Sequence, residues 1–172
     1  LPALVAASRE VAGPGHRSAA TLGGNLCQDT RCVHYNQSAW WRAAQGGCLK
    51  LDGSVCHVAP QGTRCHAAYA GDLAAALLAM DAEVELVATG GTRRCALQQL
   101  YRDDGAAHLA LAPGELLTAV HVPRPAPGSR SAFAKVTTRG AMDFPLASVG
   151  VVLRLQVAQG SPLAALSVGL SG

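Results

Sequence analysis

Cys32, Cys48, Cys56 and Cys65 lie within 34 residues of one another, spaced C-x15-C-x7-C-x8-C. Four thiols this close can form disulfides, bind a metal ion or hold a metal cluster. Disulfide scaffolds are typical of short secreted chains that cannot build a core. This 172-residue chain is 49% apolar, with ample Leu, Val and Ala outside the cysteine stretch, so a local metal site is the better expectation. Zinc sites usually carry at least one tight C-x2–4-C knuckle, and none occurs here. The same absence argues against a thioredoxin-like redox pair. An iron–sulfur cubane takes four thiolates at varied spacing. Local charge favours it: Arg31, Arg42, Lys50 and Arg64 face Asp52 alone between positions 31 and 65, and a four-thiolate cluster is net negative. The plain alternative is four unlinked cysteines in a mobile loop.

Just upstream stands Thr21-Leu22-Gly23-Gly24-Asn25. Paired glycines let a backbone approach a phosphate and aim N–H groups at it, and Thr21 and Asn25 can add side-chain hydrogen bonds. Alone this is a weak signal, because GGN is also a common turn. Cys27 follows it and could be a fifth ligand; Cys95, in a strand-like run, reads as a small buried residue. His34, His57 and His66 each neighbour a cysteine and could complete a Cys3His site; with four cysteines to hand they read as hydrogen-bonding or surface residues. Tyr35, Trp40 and Trp41 are expected to pack over the cysteine stretch as its small core, which would also keep water from a cluster. No Ser/His/Asp triad or carboxylate pair has local support.

These residues need elements to place them. Leu1 to Val11 reads as the end of an amphipathic helix with Leu1, Leu4, Val5 and Ser8 on one face, stopped by Gly13-Pro14-Gly15. A loop is expected to carry Thr21 to Asn25. Residues 27–66 show no sustained period, and so long a stretch needs something to order it, which metal ligation would supply. Asp72 is placed to cap a helix running to Met80. Ala82–Ala88 alternates as a strand, Gly90-Gly91 turns it, and Thr92–Leu97 pairs back. A helical turn follows at Gln98–Arg102, then a strand over Leu116–Val122. Pro123–Gly128, with three prolines and a glycine, marks a domain boundary. Further strands are expected at about 131–138, 147–157 and 163–170. The mix is α+β.

The net charge of +3, with no run of Lys or Arg, excludes a nucleic-acid surface of the usual kind. No apolar stretch reaches the roughly 18 residues of a membrane span, and none resembles a signal peptide. The chain starts at Leu1 and ends just after a strand-like run, so it reads as part of a larger polypeptide, expected in the cytoplasm.

Thr21-Leu22-Gly23-Gly24-Asn25, followed by Ala70-Gly71-Asp72, resembles the flavin-binding subunit of the xanthine dehydrogenase family of molybdenum hydroxylases. There the two motifs usually lie only a few residues apart; here about 40 residues intervene. That insert resembles the one in β subunits of the family's 4-hydroxybenzoyl-CoA reductase branch, where it carries a [4Fe–4S] cluster. The phrases Arg31-Cys32 through Tyr35-Asn36-Gln37-Ser38, Trp41-Arg42 and Cys56-His57-Val58 add to the likeness. Gly114-Glu115-Leu116-Leu117 to Val122-Pro123 resembles the strand closing the family's FAD domain, and Phe133-Ala134-Lys135 with Arg139 the opening of its C-terminal domain.

The resemblance implies the second subdomain of a PCMH-type (vanillyl-alcohol-oxidase-like) FAD-binding domain over 1–124, with an iron–sulfur insert at 27–66. The start of the α+β C-terminal domain of molybdenum-hydroxylase flavoproteins follows over 125–172. It implies that Thr21, Gly23, Gly24 and Asn25 hold the FAD pyrophosphate. Asp72 would accept from the adenosine ribose, Leu117 pack near the flavin, Lys135 reach the cofactor, and Cys32, Cys48, Cys56 and Cys65 hold the cluster. The family's first FAD subdomain, with its own glycine-rich loop, would lie upstream. Ferredoxin electrons would pass by [4Fe–4S] and FAD to [2Fe–2S] and the molybdopterin cofactor on partner subunits, in a heterotrimer that can itself dimerise. Two other readings remain: a flavin subunit serving a different hydroxylase, and a non-redox module with structural zinc.

Overall fold

The computed structural model of the chain describes residues 1–140, 142–155 and 164–172. Five helices are α1 (Pro2–Glu10), α2 (Pro14–Ala19), α3 (Leu22–Leu26), α4 (Ala39–Ala44) and α5 (Asp72–Ala79). Six strands are β1 (Glu83–Ala88), β2 (Gly91–Ala96), β3 (Leu116–His121), β4 (Ser129–Val136), β5 (Ala147–Arg154) and β6 (Ala165–Ser171). They form two antiparallel sheets, ordered β2-β1-β3 and β4-β5-β6. The strands and α5 lie close to their expected positions, although 156, 157 and 163, at expected strand ends, fall outside the described residues.

α5 sits against β5 and β6 because both surfaces are small. It presents Ala74, Ala75 and Ala76, all buried. Facing it, Gly150 and Gly169 are paired across the two strands. A methyl on Gly150 would stand 2.6 Å from the Ala75 carbonyl carbon, and one on Gly169 3.0 Å from it. Leu73, Leu77, Val84, Leu86, Leu97 and Leu100 fill the rest of the core.

Three expectations change. α1 buries Ala3 and Ala7, whereas Leu1, Val5 and Ser8 are exposed and Leu4 is half-buried. Its close packing against α5 and β4 selects the smallest side chains, not the most apolar ones. Pro14 opens a new helix as its first residue, as its fixed φ favours. Thr21–Asn25 is also no loop: Thr21 Oγ1 accepts from Gly24 N at 3.0 Å and caps α3.

Candidate functional site: the glycine helix and the cysteine insert

α3 is held at both ends. Gly23 and Gly24 lie in its first turn, and a methyl on Gly23 would stand 3.3 Å from Leu117 Cδ2. Leu117 reaches that spot through a β-bulge: β3 pairs Ala119 with Glu85 and Leu117 with Leu86, leaving Thr118 outside the register. The N–H groups of Leu22 and Gly23 belong to the first turn, which a helix leaves unpaired. The Thr21 hydroxyl accepts from Gly24 and keeps its own proton to donate. This exposed turn of small residues and free donors fits an FAD pyrophosphate.

Asn25 is buried and faces the other way. Its Oδ1 accepts from Leu73 N at 3.0 Å, so the side chain caps the first turn of α5 and joins two motifs distant in sequence. Asp72 does not cap α5; Gly71 occupies that position, with no side-chain cap. Asp72 Oδ1 instead lies 2.7 Å from Lys135 Nζ. The contact is an ion pair without hydrogen-bond alignment, and Oδ1 has no hydrogen-bond donor of its own. The Lys135 ammonium donates to the Glu10 and Asp143 carbonyls at 3.1 and 2.8 Å. Burial raises the Asp72 carboxyl above its usual range, against the pull of Lys135. Lys135 therefore stands behind Asp72.

The insert leaves and rejoins this frame at one point. Arg31 and Ala68 exchange backbone hydrogen bonds of 2.7 and 2.9 Å, closing residues 32–67 into a lobe. Cys48, Cys56 and Cys65 are buried; Cys32 is half-buried. Burial pushes the Cys56 thiol up, but the N–H groups of His66, Ala59 and Val58 outweigh it and hold it below its ordinary value. Cys65 is raised by burial and by the neighbouring Cys56, opposed by the Ala67 N–H and by Lys50. The donor set suits a thiolate cluster: three of the four cysteines are inside, N–H groups are aimed at two of them, and a buried ammonium lies nearby. Among the described residues, no three His, Cys, Asp or Glu side chains converge as a single metal ion would require.

Of the basic residues named from sequence, only Lys50 is an interior charge. Its side chain is 6% exposed; it pairs with Asp29 at 2.6 Å and lies 4.7 Å above the Tyr35 ring. Arg64 pairs with Asp103, Arg31 stacks on Phe144 at 4.2 Å, and Arg42 binds the Tyr35 and Gln37 carbonyls. The expected aromatic cover is split. Trp41 is half-buried, 6.3 Å from the His34 ring, while Trp40 is 79% exposed.

Sequence reasoning missed two residues. Tyr69 Oη donates to Asn25 O at 2.8 Å, and Tyr101 Oη reaches Leu26 O at 3.1 Å. The signal available for Tyr69 was its place, two residues before Gly71. Tyr101 had none. Among the described residues no helix is long and apolar enough to cross a membrane.

Residues 1–125 match the family described as the FAD binding domain in molybdopterin dehydrogenase. The chain is 36% identical over 147 residues to the aldehyde oxidoreductase FAD-binding subunit PaoB of Escherichia coli (strain K12), covering 80% of this chain and 46% of that protein. It thus spans about half the length of that curated relative. Reconstituted CO dehydrogenase from Oligotropha carboxidovorans shares the fold at TM-score 0.63 and 24% identity, over 95% of this chain and 42% of the other. CO dehydrogenase from Hydrogenophaga pseudoflava does so at 0.65 and 19%, over 99% and 44%. Quinoline 2-oxidoreductase from Pseudomonas putida 86 does so at 0.58 and 17%, over 94% and 41%. The fold is thus the α+β fold of molybdenum-hydroxylase flavoproteins, and the chain belongs to the family of FAD-binding domains of the molybdopterin dehydrogenases.

Proposed function

We propose that this chain is the FAD- and [4Fe–4S]-binding part of an electron-transfer subunit in a molybdenum hydroxylase that oxidises aldehydes. Partner subunits would carry the molybdopterin cofactor and [2Fe–2S] centres. The observation that carries the substrate class is the 36% identity to an aldehyde oxidoreductase FAD-binding subunit. The cluster is supported by the buried thiols, the N–H groups on Cys56 and the enclosed Lys50. Bound flavin exchanges two electrons or one, and a cluster one at a time. This chain's residues bind, orient and shield. Thr21, Gly23, Gly24 and the α3 donors hold the pyrophosphate, with Asn25 fixing the helix beneath them. Asp72 accepts from the ribose, backed by Lys135, and Leu117 packs near the flavin. The flavin-binding part spans 1–124, insert included, and a second domain opens at 125; the family match ending at 125 supports that division.

The whole complex, purified without oxygen, should hold about four irons beyond those of the partners' [2Fe–2S] centres, with broad absorbance near ~400 nm that dithionite bleaches. An added aldehyde should bleach it too. Cys65→Ser should lose cluster iron and Cys95→Ser should keep it. Zinc in place of that extra iron would refute the cluster, and a total iron count unchanged in Cys65→Ser would refute the ligand set.

A second reading rests on the intervals of Cys32, Cys48, Cys56 and Cys65, which resemble those of the 4-hydroxybenzoyl-CoA reductase branch. Electrons would then enter from a ferredoxin, and an aromatic acyl-CoA would lose its ring hydroxyl. In that case 4-hydroxybenzoyl-CoA reoxidises the dithionite-reduced complex, and aldehydes leave the oxidised complex unchanged.

A further inference from the structure

We propose that Tyr69, backed by Tyr101, is a positioning residue for the FAD turn, an inference that rests on the flavin reading. α3 is one turn and a half long, too short to hold its shape alone. Of its last carbonyls, Asn25 O takes a long backbone hydrogen bond from Gln28 N at 3.3 Å, and each has room for a further donor. Tyr69 Oη lies 2.8 Å from Asn25 O and 3.2 Å from Leu26 O. Tyr101 Oη lies 3.1 Å from Leu26 O and 3.3 Å from Tyr69 Oη. Each hydroxyl has one proton, so the best division gives Asn25 O to Tyr69 and Leu26 O to Tyr101. Burial raises both phenols above their ordinary value, so both remain donors at physiological pH.

The clamp acts where the two cofactor regions meet. Tyr69 follows Ala68, the residue that closes the insert on Arg31, and is the fourth after Cys65. The insert's exit therefore delivers the hydroxyl that fixes the inner end of α3. The outer end of the same helix presents Thr21, Gly23 and Gly24. Gly71 gives the clearance: a methyl there would overlap the Tyr69 hydroxyl and stand 2.8 Å from Asn25 O. Its backbone, at φ −82°, would accept alanine without strain, so space alone requires glycine.

The full-length flavin subunit, stripped of FAD, is titrated with FAD and separately with ADP, which carries the same pyrophosphate. Tyr69→Phe should weaken both by the same factor, about five- to tenfold, from one lost hydrogen bond. Tyr101→Phe should weaken them less. Gly71→Ala should match Tyr69→Phe, because it displaces the hydroxyl without removing it. If FAD and ADP bind within twofold of the unaltered subunit in both Tyr69→Phe and Gly71→Ala, the proposal is overturned, even where the melting temperature falls. An unaltered subunit that takes neither FAD nor ADP would overturn the flavin reading itself.

Discussion

Lys135 on β4 places its ammonium 2.7 Å from Asp72 Oδ1 on the first turn of α5, with both side chains buried. The pair ties the second sheet to the helix that follows the insert. Removing one partner of a buried pair leaves the other charge uncompensated, at a cost of about 3–5 kcal/mol. Lys135→Met should lower stability on that scale. Without the ammonium, the folded-state pKa of Asp72 rises further above its unfolded value. A raised carboxyl contributes most below the unfolded pKa and loses that contribution as pH rises through the folded value. The deficit of Lys135→Met should therefore shrink on acidification before the ordinary carboxylate range is reached, between the folded-state values of Asp72 in the variant and in the unaltered protein, read by denaturant melts at several pH values. A deficit independent of pH would contradict the pairing.

Gly150 and Gly169 set the distance between α5 and its sheet. Gly150→Ala should destabilise by about 1–3 kcal/mol, the usual cost of overpacking. The atoms it meets are backbone, the Ala75 carbonyl and Ala76 Cα. Trimming the facing side chain with Ala75→Gly should therefore give no rescue in a double-mutant cycle. Rescue would show that side-chain crowding, not backbone approach, sets the spacing.

Much of this frame was legible in sequence. The alternation Val84, Leu86, the Gly90-Gly91 turn and the Pro123–Gly128 passage locate strands because period and turn chemistry are local. α1 misled because its buried face is Ala3 and Ala7, and tight packing rewards small residues that hydrophobicity barely marks. α3 misled because two glycines argue against a helix, while the Thr21 cap and the Tyr69 and Asn25 contacts override propensity. The pairs Lys135–Asp72 and Tyr69–Asn25 were not legible as contacts, since both join residues far apart in the chain. The cysteine quartet was legible as a set, but its surroundings were not. The supposed basic field is thinned, since Arg64 is paired with Asp103 and Lys50 with Asp29, both acids outside the stretch counted, and of the four basic residues Lys50 alone has an enclosed side chain.

Arg93 grips Glu115 in a fork, Nε–Oε1 at 2.5 Å and Nη2–Oε2 at 2.7 Å, and Glu115 also accepts from Ala112 N. The fork and that N–H hold the Glu115 carboxyl at about 2. The grip fixes the loop that starts β3 and so helps aim Leu117. A depressed carboxyl contributes stability above its unfolded pKa and loses it as pH falls through the folded value. The loop should therefore stay ordered to about pH 2, and Arg93→Ala should return the Glu115 midpoint towards the ordinary glutamate value of 4.5. Carboxyl-carbon NMR titration reads both midpoints, and an unchanged midpoint in Arg93→Ala would contradict the fork.

Trp40 and Trp41 are adjacent on α4 and should behave oppositely. Trp41 is half-buried against His34, whose ring stacks 5.2 Å from that of His57, itself bonded through Nε2 to Gly47 O at 2.6 Å. That chain of contacts links Trp41 through His34 and His57 to Gly47, beside Cys48. Trp40 is 79% exposed and contributes no comparable packing. Trp40→Ala should leave stability within about 0.5 kcal/mol. Trp41→Ala should open the insert locally, because an aromatic carries much of the buried area of so small a lobe. Limited proteolysis reports local opening at a rate that follows its free energy. Faster cleavage between residues 32 and 67 in Trp41→Ala, but not in Trp40→Ala, is the expected result. Equal rates would mean that the insert does not depend on this aromatic contact.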